Sequence, residues 1–260
     1  MLPVTIRRER MYQEIARRDF VRVSELADVF GISDVTVRGD LTALAATHAI
    51  RRVRGGAMAP VRGALTELSL EQNRVEFAGE KQRIGERVAA LVASGTSVLL
   101  DVGSTTTAVA RALIARDDID QVTVITNGLT IALELEAAMP RITVVVTGGT
   151  LRALQHSLVN PMATALLAEF HADLAVIGCN GIDPERGVTN LNLPEAEVKR
   201  TMIAAADRTV VVADGSKLGQ AHLGRIARLD QVDLVVTGPS APVREVERLR
   251  SAGVGVEQVE

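Results

Sequence analysis

From Ser97 onward, short runs of apolar, mostly β-branched residues alternate with stretches of helical periodicity. This alternation constrains the fold more than any other feature of the chain. The runs are Ser97–Leu100, Val122–Ile125, Ile142–Val146, Leu174–Ile177, Val210–Ala213 and Val232–Val236, with a last one near Val254–Val259. Helical stretches lie between them at Thr105–Ala115, Leu129–Ala138, Met162–Phe170, Glu195–Ala206 and Ala241–Ser251. Strands covered by helices on both faces read as near-continuous apolar runs, because neither face meets water. Residues 79–260 are therefore expected to form an α/β domain around a parallel sheet. The amphipathic stretch Lys81–Ala93 opens it, with Ile84, Val88, Leu91 and Val92 on one side.

In such a sheet the strands all end at one edge, and ligands bind in the crevice outside those ends. Five exits are rich in Gly, Ser, Thr and Asn: Asp101-Val102-Gly103-Ser104-Thr105-Thr106, Thr126-Asn127-Gly128, Thr147-Gly148-Gly149-Thr150, Gly178-Cys179-Asn180-Gly181 and Asp214-Gly215-Ser216-Lys217. Gly103, Ser104, Thr105 and Thr106 precede a helix. Their N–H groups and hydroxyls suit an anion, phosphate above all, although the same residue types also start helices by ordinary capping. Arginine is the usual base of this chain, which has only three lysines, Lys81, Lys199 and Lys217. Lys217, just past a strand exit, can bind a phosphate or pair with Asp214 or Asp101. Glu195 and Lys199 are four apart on a helix that follows a loop at Gly187–Pro194. They can pair with each other for ~0.2–0.5 kcal/mol or point into the crevice. The candidate effector contacts are Asp101, Gly103, Ser104, Thr105, Thr106, Thr126, Asn127, Gly148, Gly149, Gly178, Glu195, Lys199, Asp214 and Lys217.

The N-terminal part has a different texture. Residues 1–62 hold eleven arginines, no lysine and seven acids, a net +4, while the rest carries 18 bases and 25 acids. A small basic unit on an acidic body points to a polyanion as partner of the former. The first ~18 residues read as a helix, with Ile6, Met11 and Ile15 to one side. Phe20–Val23 is extended, and Ser24 can cap a second helix, Glu25–Phe30, with Leu26, Val29 and Phe30 as its buried stripe. Gly31-Ile32-Ser33 makes a tight turn, with Gly31 left-handed and Ser33 as the next cap. A third helix from about Asp34 to Thr47 faces Val37, Leu41 and Leu44 inward. Ile50–Ala57 then reads as a basic hairpin.

This is the order of a winged helix-turn-helix, whose second helix of the pair enters the major groove of double-stranded DNA. A structural three-helix bundle shares the helices but needs no arginines on a hairpin tip. The candidate DNA contacts are Ser33, Val35, Thr36, Arg38, Gly39 and Thr42, with Arg51, Arg52 and Arg54 on the wing. Arg38 can make a bidentate contact to guanine, and the wing arginines suit phosphates. Residues 3–58 are expected to form this domain. Residues 59–78, which lack a strong period and contain Pro60 and Gly63, read as a linker, with room for a short helical piece.

Several classes are excluded. With 47% apolar and 23% charged residues, the chain is neither disordered nor a coiled coil. No apolar run approaches the ~18–20 residues of a membrane span, so no membrane partner is expected. The N-terminus lacks the apolar core of a secretory signal. One cysteine, Cys179, excludes a disulfide framework and a Cys-based zinc site, and a cytoplasmic setting is expected. Cys179 reads as a core residue. Aromatics at 2% argue against binding by base stacking. His48, His156, His171 and His222 have no metal-like spacing, and the nucleotide-binding and hydrolase glycine motifs are absent, so neither metal nor cofactor is expected.

The chain also resembles a known family. Arg10, Ile15, the run Val23-Ser24-Glu25-Leu26-Ala27, Phe30-Gly31-Ile32-Ser33, Thr36-Val37-Arg38, Asp40-Leu41, Leu44, Arg52 and Gly55-Gly56-Ala57 are similar to the DeoR/GlpR family of bacterial transcriptional regulators. So are Asp101, Gly103-Ser104-Thr105, Thr126-Asn127, Gly148-Gly149, Gly178, Gly181-Ile182, Glu195, Lys199-Arg200, Asp214 and Ser216-Lys217. The resemblance implies a sensor fold like ribose-5-phosphate isomerase and a phosphorylated sugar or related metabolite as effector. It also implies repression of sugar-metabolism genes and a homo-oligomer. Two positions depart from the pattern. Gly39 stands where the family commonly has a second arginine, which bears on the operator read. Asn160 and Pro161 stand where a glycine is usual in the His156–Pro161 loop, which bears on the effector. The rival expectation is a sugar-phosphate isomerase-like enzyme carrying a helix-turn-helix, with Asp101, Asp214 or Glu195 as the base.

Overall fold

The computed structural model describes residues 4–18, 20–47, 50–58 and 67–260. Pro3, residues 59–66 of the expected linker, and the side chains of Ile6 and Arg51 lie outside the described residues. The chain divides into two compact units, Met1–Leu68 and Ser69–Glu260. The smaller holds α1 (Val4–Arg17), β1 (Val21–Arg22), α2 (Val23–Phe30), α3 (Asp34–Thr47), β2 (Arg51–Val53) and β3 (Gly56–Met58). The larger opens with α4 (Leu70–Val75) and α5 (Ala78–Ala89), followed by β4 (Ser97–Leu100), α6 (Ser104–Ile114), β5 (Val122–Thr126), α7 (Leu129–Leu135) and β6 (Ile142–Val146). Next come β7 (Thr150–Arg152), β8 (Ser157–Val159), α8 (Met162–Leu167), β9 (Ala172–Gly178), β10 (Gly181–Asp183), β11 (Gly187–Asn190) and α9 (Leu193–Ala204). The chain closes with β12 (Ala206–Val212), β13 (Gly224–Ala227), β14 (Leu234–Thr237), α10 (Val243–Ser251) and β15 (Gly255–Gln258).

Seven strands form one parallel sheet in the order β15-β14-β12-β9-β4-β5-β6. Successive side chains of a strand point to opposite faces, and here both faces are buried. Val98 and Leu100 pack with Ile84 and Val88 of α5, Val109 and Leu113 of α6, and Ile131 of α7. Leu99 between them packs toward Leu167 of α8, Met202 of α9 and Leu249 of α10. Burying each such Leu, Ile or Val is worth ~1.5–3 kcal/mol, which is why the apolar runs were legible as strands.

Two smaller antiparallel sheets were not expected. One is the hairpin β7-β8; the other has the order β10-β11-β13. The stretch read as a Gly187–Pro194 loop in fact contains β11. Strands of three or four residues are too short to show a period. The second half of the expected 59–78 linker contains α4, which belongs to the larger unit. Ser69 caps it, accepting from Gln72 N at 3.3 Å, while Gln72 Oε1 accepts from Ser69 N at 2.9 Å.

In the smaller unit, strand order is β1-β3-β2, all antiparallel. Met11, Ile15, Leu26, Val37, Leu41 and Leu44 form its core, as the helical spacing predicts. Gly31 is left-handed at φ 61 and ψ 41, and its N–H bonds back to Ala27 O, closing α2. The α2 start differs from expectation. Arg22 occupies the cap position, with its N–H donating to Glu25 Oε2 at 3.2 Å, so Ser24 lies inside the helix and is exposed. Val23 is buried in place of Val29, which is 60% exposed: Val21 of β1 and Val23, the first residue of α2, both face the core, which sets the rotation of the helix.

Asp40 on α3 is buried, and Arg7 Nε and Arg8 Nε of α1 each donate to it at 2.7 Å. Two of the eleven arginines thus serve the fold rather than a ligand. Burial raises the Asp40 carboxyl pKa, but Arg7 and Arg8 outweigh it and hold the group below its usual range. Asp40→Ala leaves Arg7 buried without its carboxylate, so chemical denaturation should show a loss of about 3–5 kcal/mol. A carboxyl whose folded pKa is depressed stabilises above its unfolded value, about 3.9, and loses that stability as pH falls through the folded value. The smaller unit should therefore weaken below about pH 4, and Asp40→Ala should flatten that dependence.

Candidate functional site

The chain runs from β4 to β5 and β6 on one side, then returns to place β9, β12, β14 and β15 on the other. The topological switch point lies between β4 and β9, where ligand crevices form in such sheets. Asp101 ends β4 there and is fully buried. Its Oδ2 accepts from Gly178 N at the end of β9, at 3.0 Å, and from Lys199 Nζ of α9. Lys199 Nζ also donates to Gly178 O at 3.1 Å. Burial pushes Asp101 up to about 6, against the pull of Lys199. Burial acts to lower Lys199, but Asp101 and Glu195 outweigh it and raise it. The other oxygen, Asp101 Oδ1, is buried and has no hydrogen-bond partner among the described residues.

Glu195 and Lys199 both point inward, to different partners. Glu195 Oε1 accepts from Arg152 Nη1 at 2.7 Å and Ser157 Oγ at 2.6 Å, and Oε2 accepts from Asn190 Nδ2 at 3.4 Å. Glu195 is thus a bracket that holds the β7-β8 hairpin and β11 to α9. Asn127 is another bracket. Its Oδ1 accepts from Val102 N at 3.0 Å and its Nδ2 donates to Leu158 O at 3.4 Å. Thr126 Oγ1 accepts from Gly128 N at 3.0 Å. These three side chains, expected as effector contacts, each hold hydrogen bonds within the protein.

Gly103 has φ 144, a conformation that side-chain-bearing residues rarely adopt. Its carbonyl accepts from Thr106 Oγ1 at 3.0 Å and Thr107 Oγ1 at 2.7 Å. The Thr106 hydroxyl is therefore turned back, and the first-turn N–H groups of Ser104, Thr105 and Thr106, which have no intrahelical partner, are the donors an anion would meet. Gly148 and Gly149, at φ 68 and 125, carry the chain from β6 into the hairpin.

Asp214, at the end of β12, accepts from Ser216 N at 3.2 Å and Ser216 Oγ at 2.5 Å through Oδ1, and faces Lys81 Nζ at 3.5 Å through Oδ2. Burial raises its pKa, but Lys217 and Lys81 outweigh it and hold the carboxyl low. Lys217 is half-buried, and its ammonium has neither hydrogen-bond nor ion-pair partner among the described residues. All three lysines of the chain thus converge on the strand exits: Lys199 on Asp101, Lys81 on Asp214, and Lys217 open. Lys81, Glu80, Arg152 and Ser157 were not expected here. The rarity of lysine was a signal for the first; the other three carried none. Cys179 is half-buried and packs against the core, and desolvation pushes its thiol up to about 12, which does not suit a nucleophile. Among the described residues no cluster of His, Cys, Asp or Glu could hold a metal, and no helix is long and apolar enough to cross a membrane.

On the smaller unit, α3 presents Val35, 78% exposed, with Arg38, Gly39 and Thr42 also exposed. Ser33 Oγ accepts from Thr36 N at 3.2 Å and lies 2.9 Å from Thr36 Oγ1, so these two residues cap the helix. Thr42 Oγ1 donates to Arg38 O at 2.7 Å and accepts from Arg52 Nη1 at 2.8 Å, which docks the wing arginine onto the reading helix. Arg54 is exposed at the hairpin turn.

An exposed helix with a basic wing, joined in one chain to an α/β domain with a crevice at its switch point, defines a DNA-binding transcriptional regulator with a sensor domain. Residues 7–62 match the DeoR-like helix-turn-helix domain, and residues 76–239 match the DeoR C terminal sensor domain. The chain belongs to the DeoR family. It is 34% identical over 256 residues to the HTH-type transcriptional regulator GlpR of Haloferax volcanii, covering 98% of each protein. It is 28% identical over 235 residues to the Glycerol-3-phosphate regulon repressor of Haemophilus influenzae, covering 90% of this chain and 89% of the relative. A ribose 5-phosphate isomerase A from Methanocaldococcus jannaschii overlays 55% of each chain at a TM-score of 0.40 and 18% identity. The relatives are regulators and repressors, and the family is one of DNA-binding regulators, not enzymes.

Arg54→Ala should weaken binding alike on an operator and on random duplex, and reduce the salt slope by about one. Arg38→Ala should cost ~1–3 kcal/mol on the operator and little on random duplex. Fluorescence anisotropy at several salt concentrations measures both; equal losses on both duplexes for both variants would show that reading helix and wing do not divide the work.

Proposed function

We propose that this regulator represses sugar-metabolism genes and is controlled by a phosphorylated sugar bound across the strand exits. The observations that carry this reading are, among the described residues, a buried Asp101 oxygen without a partner at the switch point and a Lys217 ammonium without a partner just past the end of β12, on the same sheet edge. A ligand that satisfies both is anionic at one end and bears hydroxyl donors at the other. The phosphate lies on Lys217 and the first-turn N–H groups of α6, and hydroxyls donate to Asp101 Oδ1 and Asp214. One relative is named for a glycerol 3-phosphate regulon, a phosphorylated polyol. The free Cys179 fits the cytoplasmic setting where such metabolites occur.

Effector binding shifts DNA affinity only by its differential affinity for the DNA-competent and incompetent states. A useful coupling is ~1–3 kcal/mol, or about 5–150-fold. Lys217→Ala should abolish the effector response and leave operator affinity near that of the wild type. A DNA titration with and without a panel of sugar phosphates tests this; a variant that responds at unchanged effector concentration removes Lys217 from the site.

The protein acts as a homo-oligomer on this reading. One reading helix contacts a few base pairs, too few to discriminate against a genome, and paired half-sites supply the rest. Light scattering should give a dimer or larger at micromolar concentration. A monomer with full operator affinity would refute it.

A further inference from the structure

Lys81 occupies an unusual position for a lysine. It is 4% exposed, and its ammonium donates to Asn73 O and Glu76 O at 2.6 Å each while facing Asp214 Oδ2 at 3.5 Å. Asn73 and Glu76 lie at the C-terminal end of α4, where the last carbonyls lack helical partners and favour a cation. The neighbouring Glu80 accepts from Gly215 N at 2.7 Å, so two consecutive side chains of α5 grip the Asp214–Lys217 turn. In the other direction, α4 is the first helix among the described residues after the DNA-binding domain. Its N-terminal end is tied to the β7-β8 hairpin, with Leu70 N donating to Leu154 O at 3.0 Å and Glu71 facing His156 at 3.5 Å.

We infer that Lys81 couples occupancy of the strand-exit crevice to α4, making it the positioning residue by which an effector is felt at the entry to the sensor domain. The inference rests on the phosphate reading above. Asp214 opens the turn that Lys217 closes, with Lys217 N donating to Asp214 O at 3.1 Å. A phosphate held by Lys217 is therefore felt at Asp214, whose Oδ2 faces Lys81. The contact at 3.5 Å is longer than a good hydrogen bond, so it has room to tighten. An ammonium has three donors, so Lys81 can bond Asp214 and keep both α4 carbonyls. The corner between α4 and α5, with its amide bonds from Asn73 N to Ser69 O and from Lys81 N to Phe77 O, is then held more firmly.

Hydrogen exchange on the full chain, with D-ribose 5-phosphate and inorganic phosphate as probes, tests this. In the wild type, amides at 103–106 and 214–217 should slow, and those at 70–81 should slow about 5-fold or more relative to α8, the size of a working coupling. Lys81→Met should keep the slowing at 103–106 and lose it at 70–81. Slowing in the wild type at 103–106 and 214–217 with no change at 70–81 overturns the inference and leaves the phosphate reading standing, as does a Lys81→Met protein that still slows at 70–81. No slowing anywhere overturns the phosphate reading, and the inference falls with it. Should Lys81→Met fail to fold, Asp214→Asn removes the charge that Lys81 faces: slowing at 103–106 with none at 70–81 supports the inference, and slowing at both overturns it.

Discussion

A buried ammonium–carboxylate pair, Lys199 with Asp101, organises the larger unit. It joins the end of β4 to the end of β9 and to α9, across the point where the strand order reverses. Burying two charges is costly, and a well-packed apolar pair often does as well for stability. What an apolar pair cannot do is leave a carboxylate oxygen without a partner inside a crevice. Glu195, one turn earlier on α9, is bonded to Arg152, Ser157 and Asn190, so that α9 sits at one depth.

The crevice separates two kinds of polar residue that look alike in sequence. Asn127, Thr126 and Glu195 hold hydrogen bonds to other parts of the protein. Lys217, Asp101 Oδ1 and the first-turn N–H groups of α6 are left for something else. Buried polar atoms are nearly always bonded in native proteins, so an exception marks a place where a partner belongs. The same distinction holds in the smaller unit. Arg7 and Arg8 are bound to Asp40, whereas Arg38 and Arg54 are exposed. Counting arginines therefore overstates the charge on offer to DNA.

Legibility followed the length of the repeat. The central strands β4, β5, β9, β12 and β14 announced themselves because they are buried between helices and read as apolar blocks, whereas the edge strands β6 and β15 are half-exposed. The hairpin β7-β8 and the sheet β10-β11-β13 did not, since short strands such as Gly181-Ile182-Asp183 and Gly187-Val188-Thr189-Asn190 carry Gly and polar residues and form no apolar block. The helix-turn-helix was legible through Gly31, Ser33 and the spacing of Val37, Leu41 and Leu44. The start of α2 was not, because the pairing of β1 with β3 set it and moved Val29 to the surface.

By itself the sequence determined the class of fold, the order of the two domains, the reading helix and the family, because these rest on local spacing and on motifs carried in chain order. It also placed the candidate residues at strand exits, since every parallel strand ends at the same edge. Only the tertiary structure decided which of those residues are bonded within the protein and which are open. Hydrogen-bond partners such as Asp101 and Lys199, or Ser157 and Glu195, lie 98 and 38 residues apart, and no local pattern records a partner at that distance. Lys81 shows the limit most clearly: its sequence neighbours mark it as part of an amphipathic helix, and only the fold sets its ammonium between α4 and Asp214.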